Sequence, residues 1–434
     1  MYIHCLKVRD LRAVASARVE LLYPGRVERK SVAKIEMPSP RLDNVNLILG
    51  ENGAGKSTLL DGIALGVLSP IIAQAGFRPH FLIRRGRDDK RPERATLDID
   101  MVVHHQDGLP KGGEARRRVA TTIERRGDVE RIVGYDDSSP VWEGMFSEES
   151  PAFLIVGYGA TRRVESSANI DTAARSKSRQ LRYERVASLF EDQFTLRPLA
   201  SWLPEWSSRN PGRHKQVVNL INRLSGEDVR FTGALDRGEY VFRTKGTDVP
   251  FSALSDGYKA FIGWVGDLLY HVCMGCPKGM KLVENKGVVL VDEIDLHIHP
   301  KWQRTIIPTL ASALPKMQFV FTSHSPLVVG TLERANIYHV ETNRLGRPVL
   351  RRPDEETYGL SADQILRSEI FGLESTRDPS FKAHLDALSG DAATGDRNAA
   401  MTFMRQVAQG KGAALASETP EAPEWVKRLA ARGT

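Results

Sequence analysis

Gly50-Glu51-Asn52-Gly53-Ala54-Gly55-Lys56-Ser57 fits the pattern G-x-x-x-x-G-K-S, and the residues around it change periodicity at that point. Val45-Asn46-Leu47-Ile48-Leu49 reads as a short buried strand, and Ser57 to Leu65 reads as the helix it feeds. Glycines at 50, 53 and 55 let the backbone wrap closely around phosphate, because side chains there would block the converging N–H groups. The helix N-terminus adds partial positive charge. Lys56 is then expected to reach the β- and γ-phosphates of ATP and the Ser57 hydroxyl to ligate Mg²⁺, with Glu51, Asn52, Ala54 and Thr58 completing the loop. The plain alternative is a glycine-rich turn with a chance lysine; strand, loop and helix in this order weigh against it.

Val288-Val289-Leu290-Val291-Asp292-Glu293 supplies what such a loop needs from another strand. Four apolar, mostly β-branched residues predict a strand buried on both faces, with two carboxylates at its C-terminal end, where parallel α/β sheets place ligands. Asp292 is expected in the Mg²⁺ shell, and Glu293 as the general base that polarises the attacking water. A buried strand ending in solvated acids is common; it gains meaning from the loop at Lys56. His324 follows another strand-like run, Gln318 to Thr322, one helix later, where an imidazole can donate to a γ-phosphate. A lone histidine is more often a surface or core residue.

Leu254-Ser255-Asp256-Gly257 resembles the signature motif of ABC-type ATPases, and Asp292-Glu293 and His324 resemble that family's Walker B and switch histidine. The resemblance implies two heads packed in opposite directions, with Ser255 and Gly257 of one chain touching the nucleotide held by the other. An ordinary helix cap at Ser255 is the competing reading, and both can hold at once. Asp292 to Gln303 is more similar to the SMC and RecF group than to transporter subunits. Within that group it looks most like the compact ATPases of anti-phage systems: the Septu ATPase subunit, retron-associated ATPases and the ATPase half of OLD-family nucleases. Met1 to Val8, Tyr158-Gly159-Ala160-Thr161-Arg162 and Tyr358 to Leu366 add to this resemblance, which runs to about residue 378.

The chain also departs from the pattern. It has no sustained apolar heptads for a coiled-coil insertion. The Q-loop glutamine is not identifiable: Gln74 falls near a helix end and Gln106 at a hairpin, and Tyr158 or Arg162 stands at about the right place in the order of elements.

A length of 434 residues allows about three domains, and 41% hydrophobic content suffices for a large core. Lys7, Arg9 and Asp10 argue against a signal peptide. Asp267 interrupts the most apolar stretch, Ala260 to Gly275, so no membrane association is expected and the cytoplasm is the expected location. Three cysteines make no disulfide framework, and Cys273-Met274-Gly275-Cys276 lacks a second ligand pair for zinc. His297 and His299 invite a metal reading, but they precede Pro300, which can open a helix; the resemblance makes this turn a crossing point between two heads.

The net charge of +7 is concentrated in runs at Arg84 to Arg87, Arg116 to Arg118, Arg125-Arg126, Arg162-Arg163 and Arg175 to Arg182. Such runs are consistent with non-specific contact to a DNA or RNA backbone, or with a solvated surface neutralised by nearby acids. Thr96 to Val103, a turn at Asp107-Gly108, and Val119 to Ile123 suggest antiparallel strands; Ser178 to Leu224 carries helical spacing.

The expected fold is α/β, a P-loop NTPase of ABC-head type with a mostly parallel central sheet, an antiparallel β lobe, a helical signature lobe and a C-terminal helical extension. Residues 1–75 are read as the first part of the ATPase core, 76–150 as a β-rich insertion, and 151–250 as a strand plus helical lobe. Residues 251–350 are read as the signature, Walker B and switch-histidine part, and 351–434 as a helical region whose tail carries a linker at 413–423 and a helix at 424–429. The expected activity is Mg²⁺-dependent ATP hydrolysis. ATP-sandwiched heads would form a homodimer or higher oligomer that regulates a separate effector, such as a nuclease, in anti-phage defence. A RecF-like DNA-repair ATPase that binds DNA unaided is the alternative.

Overall fold

The computed structural model describes residues 1–26, 40–85, 92–109, 113–134, 145–146, 150–164, 181–296, 298–342 and 348–408. His297, Arg87, the basic run from Arg175 to Gln180 and the expected tail elements at 413–429 lie outside them.

Along the chain, β1 (Tyr2–Leu11) and β2 (Val14–Glu20) form a hairpin, β3 (Val45–Gly50) leads into the glycine loop, and β4 (Arg94–His104), β5 (Glu114–Arg126) and β6 (Val129–Val133) form a meander. Then come β7 (Ile155–Tyr158), a short pair β8 (Arg163–Val164) and β9 (Thr195–Leu196), and a second meander of β10 (Val229–Asp236), β11 (Glu239–Thr244) and β12 (Thr247–Pro250). The last four are β13 (Gly287–Val291), β14 (Met317–Thr322), β15 (Ile337–Thr342) and β16 (Pro348–Arg351).

The central sheet runs β16-β15-β3-β14-β13-β7; every pairing is parallel except β15 with β16. β13 and β14 are buried along their whole length, as strands covered on both faces require. The order puts β14 between the loop-bearing strand β3 and the acid-bearing strand β13, so all three present their C-terminal ends side by side.

β1 and β2 join the antiparallel sheet, ordered β2-β1-β4-β5-β6, rather than the central one. Two buried amides fasten the sheets together. Gln318 on β14 accepts from Ile3 N at 2.7 Å and donates to Ile3 O and Leu22 O, both at 2.8 Å; Asn46 on β3 pairs with Leu22 N at 2.7 Å and Leu22 O at 2.9 Å. Each satisfies backbone groups that sheet pairing leaves over, which would otherwise be costly to bury.

Between the sheets runs the Lys56–Gln74 helix, in one apolar core with Leu6, Val8, Leu97 and Ile99 on one side and Val288, Leu290 and Val320 on the other. Gly66 is needed there, since a Cβ would lie 2.7 Å from Ile99 Cγ1. This helix is long and apolar enough to cross a membrane, but its apolar length is consumed by the core: 83% of it is buried. Pro70 lies inside the helix, and Leu68 breaks its backbone geometry.

The helical lobe has the Leu181–Phe190, Leu203–Arg209 and Pro211–Ser225 helices, as helical spacing predicts. The β10–β12 meander that follows is absent from the sequence expectation, although Gly238 and Gly246, both at positive φ in its two turns, were visible signals. Compact units span Met1–Ile365 and Leu366–Thr434. Within the second, the Pro379–Ala393 and Arg397–Val407 helices are capped by Asp378, which accepts from Ser380 N at 2.9 Å, and by Asp396, which accepts from Asn398 N at 2.8 Å.

Candidate functional site

The glycine loop begins where β3 meets a steric wall. At Gly50 a Cβ would lie 2.5 Å from the Val340 carbonyl oxygen, so only glycine lets the chain pass. Gly53 (φ 79°) and Gly55 (φ 100°) occupy left-handed backbone and turn the loop back toward the helix. Lys56 Nζ donates to the carbonyls of Gly50 and Glu51, both at 2.9 Å, which folds its ammonium over the loop. Burial pushes the Lys56 pKa down; the carboxylates of Asp292, Glu293 and Asp295 oppose that push.

Those carboxylates sit beyond the end of β13, and β14 organises them. Thr322 Oγ donates to Asp292 Oδ1 at 2.5 Å and accepts the Glu293 N–H at 2.7 Å, while Thr322 O accepts from Ile294 N at 3.0 Å. Glu293 has φ 48°, a left-handed conformation uncommon for a residue with a side chain. His324 N donates to Asp295 Oδ1 at 3.4 Å. Its imidazole Nε2 is buried with no hydrogen-bond partner among the described residues, and burial with the nearby Lys56 charge pushes its pKa down. Gln303 ties the next turn in place: Nε2 donates to Ile298 O at 2.9 Å, and Oε1 accepts from Ser325 Oγ at 2.7 Å.

Lys56, Asp292, Glu293 and His324 thus meet at one edge of the sheet. Ser255 and Gly257 do not: among the described residues no hydrogen bond or ion pair joins either to residues 50–58. Ser255 is the N-cap of the Asp256–Met274 helix, but its side chain makes no capping bond and is exposed. Asp256 pairs within its own helix, with Lys259 at 2.8 Å.

The residues weighed for the Q-loop position separate cleanly. Gln74 ends the Lys56–Gln74 helix, and Gln106 donates to Lys286 O at 2.5 Å, at the opposite end of β13. Tyr158 is buried and donates to Asp267 Oδ2 at 2.7 Å. Arg162 is the one of the four whose side chain bonds to the acidic strand end, through Asp292 O and Glu293 O, whereas Tyr158 meets it through its carbonyl, which accepts from Asp292 N at 2.8 Å.

Sequence reading missed two parts of this arrangement. Thr322 is one hydroxyl in a strand, and nothing local marks it. Arg12, in the turn between β1 and β2, pairs with buried Asp61 of the glycine-loop helix. Burial pushes the Asp61 pKa up to about 7 against the pull of Arg12. The pair brings the hairpin against the loop, where a Cβ on Gly55 would meet Val14 Cγ2 at 2.9 Å.

No cluster of three or more histidine, cysteine or acidic residues suited to a metal occurs among the described residues. Cys273 and Cys276 are free thiols, and burial raises both. The donor set fits Mg²⁺ held jointly with phosphate, since such ions take few protein ligands and complete their shell with phosphate oxygens and water. The unpartnered His324 Nε2 and the open left-handed loop at Gly53, where a Cβ would meet nothing within 4 Å, fit a phosphate group in the same place.

Residues 45–330 match the family described as "AAA domain, putative AbiEii toxin, Type IV TA system". The chain belongs to this AAA-domain family. Among curated relatives, this AAA-domain chain is 25% identical over 330 residues to the Septu protein PtuA of Bacillus mycoides, covering 76% of the chain and 41% of PtuA. It is 23% identical over 417 residues to the "Retron Vc95 probable ATPase" of Vibrio cholerae, covering 82% of the chain and 80% of that protein. The chain therefore spans less than half of that PtuA. Among solved structures, the SMC head domain from Thermotoga maritima aligns with a TM-score of 0.44 and 15% identity, covering 82% of this chain and 100% of that one. The resemblance read from the motifs, to compact SMC/RecF-group ATPases like those of Septu and retron systems, agrees with these relatives.

Proposed function

We propose that this AAA-domain chain is a Mg²⁺-dependent ATPase head that dimerises head to tail around two ATP molecules and uses that closure to control a separate effector, such as a nuclease, in anti-phage defence. One contrast carries the reading. Lys56, Asp292, Glu293 and His324 converge at one sheet edge, whereas Ser255 is exposed at a helix N-terminus with its hydroxyl unspent.

Each residue then has a task that its surroundings suit. The loop amides and Lys56 bind phosphate oxygens once the ammonium leaves the Gly50 and Glu51 carbonyls. Ser57 and Asp292 would hold Mg²⁺, which when bound would supply Lewis-acid neutralisation of phosphate charge. Thr322 fixes the Asp292 carboxylate through Oδ1. Glu293 takes a proton from the attacking water, and His324 donates from Nε2 to the γ-phosphate. Ser255 Oγ and the Gly257 amide reach the γ-phosphate on a second copy, at the positive end of their helix. The likeness to a Septu protein and to a retron ATPase supports the biological context.

The test is the Glu293→Gln variant of the full chain, with mass measured in saturating Mg-ATP. A stable dimer that dissolves when nucleotide is removed supports the reading; a monomer under those conditions refutes it. Recovery of a nuclease or other effector with the chain tests the second half.

A RecF-like DNA-binding ATPase is the second reading. On the outer face of the antiparallel sheet, His4, Arg18, Arg116, Arg117 and Arg118 line one cleft beside Asp100. Arg18 and Arg118 are paired with Glu20 at 2.6 Å and Asp98 at 2.9 Å, which lowers the charge left for phosphate. Strong salt-sensitive DNA binding by the purified chain would favour this reading.

A further inference from the structure

Glu293 is held in left-handed backbone by groups from two different strands' ends. β14 supplies Thr322, which binds the N–H groups of Glu293 and Ile294. From the other side, beyond β7, the Arg162 guanidinium donates to Asp292 O at 2.8 Å and to Glu293 O at 2.9 Å. Both carbonyls flank the strained residue, and one planar fork spans them, which a lysine could not do. The same guanidinium lies 6.0 Å from the ring centre of Trp264, inside the Asp256–Met274 helix that Ser255 caps. Trp264 is itself fixed by Tyr158 at 5.8 Å and Phe261 at 5.8 Å.

We propose that Arg162 is a positioning residue for Glu293: its two bonds hold the Asp292–Glu293 backbone in the left-handed turn that aims the Glu293 carboxylate, and Trp264 seats the guanidinium from the signature helix. A left-handed residue with a side chain persists only when its surroundings over-determine it. Thr322 restrains the amide side; on the carbonyl side Arg162 holds Asp292 O and shares Glu293 O with the Leu296 amide, which donates to it at 3.0 Å, so removing Arg162 weakens the carbonyl anchor. The half-buried guanidinium, its pKa lowered to about 10 mainly by burial and held up by Asp292, Asp295 and Glu293, remains charged at neutral pH and keeps both bonds charge-assisted. The role works through the main chain, so Arg162 need not touch nucleotide, and phosphate binding by Lys56 and the loop is left alone.

This inference rests on the ATPase reading, and the experiment separates the two. Steady-state ATP hydrolysis and equilibrium nucleotide affinity are measured for the native chain, Lys56→Ala, Glu293→Gln, Arg162→Met and Arg162→Lys, with folding checked by circular dichroism. If the native chain does not turn over ATP, or Lys56→Ala and Glu293→Gln leave turnover unchanged, the ATPase reading fails. If those two abolish turnover, Arg162→Met is expected to lower kcat by roughly tenfold to a hundredfold, with nucleotide affinity unchanged within about threefold. Arg162→Lys, able to make one of the two bonds, is expected in between. Millimolar guanidinium should restore part of the activity of Arg162→Met, which a purely structural defect would not allow. Unchanged kcat in a folded Arg162→Lys and Arg162→Met overturns the proposal. So does a parallel loss of affinity and kcat, which would make Arg162 a nucleotide-binding residue. Should Arg162→Met fail to fold, the lysine variant decides by the same criteria.

Discussion

Thr322 Oγ lies 2.5 Å from Asp292 Oδ1 and 2.7 Å from the Glu293 amide nitrogen, so one hydroxyl at the end of β14 orients two adjacent acids at the end of β13. Replacing it by valine keeps the shape, removes both bonds and strands a partly buried N–H. Thr322→Val is expected to cost about 1–3 kcal/mol of stability. It should also lower Mg²⁺ affinity and turnover together, because the Asp292 carboxylate is freed to rotate. Denaturant unfolding and a Mg²⁺ titration of ATP hydrolysis check this; a variant with native Mg²⁺ dependence would contradict it.

His324 carries a buried Nε2 with no hydrogen-bond partner among the described residues, and burial together with the Lys56 charge pushes its pKa down, toward the neutral ring. A neutral ring can still donate one hydrogen bond from Nε2. His324→Ala should therefore slow single-turnover hydrolysis by roughly tenfold or more, while His324→Gln, which retains an amide donor, should lose less. Nucleotide affinity in both should stay near native. Equal losses in the two variants would argue that the ring acts by packing rather than by donating.

Asp267 gives a prediction about pH that is independent of the nucleotide. Burial raises its pKa to about 6, against the Arg197 N–H and the Tyr158 hydroxyl that stabilise its charge. Between about pH 4 and 6 the folded chain holds a proton that an unfolded aspartate, with a pKa near 3.9, has released. Its contribution to stability therefore falls as pH rises through that window and is level above it. His271, 3.5 Å from Asp267, works in the opposite sense. Its pKa is pushed well down by burial, so acid favours the unfolded chain below the ordinary histidine value. Asp267→Asn removes only the first effect. Relative to the native chain, that variant should gain roughly 3 kcal/mol between pH 4 and 6. Denaturant midpoints across the range check it, and a constant difference between the two proteins would contradict it.

The glycine loop, the β13 acids and the histidine turn were legible because each is a local pattern: a residue type at a fixed place relative to one strand. The antiparallel character of β4 and β5 was legible from alternation. What could not be read depends on pairing across sequence. β1 joins β4 through partners about ninety residues away, such as Leu6 with Ile99, and carries β2 with it, and alternation does not say which sheet a strand enters. Thr322 acquires its meaning only when β14 lies beside β13, and Arg12 only when the first hairpin folds onto Asp61. Arg162 stood in a conspicuous segment, yet its target is main chain, which leaves no partner residue type in the sequence to find.

The head-to-tail claim is tested most directly by mixing two crippled chains. Lys56→Ala removes the phosphate-binding lysine, and Ser255→Arg blocks the signature while leaving that chain's own loop intact. If each nucleotide is completed by the opposite chain, a mixed dimer contains one site with both defects and one with neither. Each variant alone should be inactive, and an equal mixture should recover about a quarter of native hydrolysis, since half the dimers are mixed and each has one intact site. Folded variants whose mixture stays inactive, or Ser255→Arg chains that hydrolyse ATP normally on their own, would contradict it.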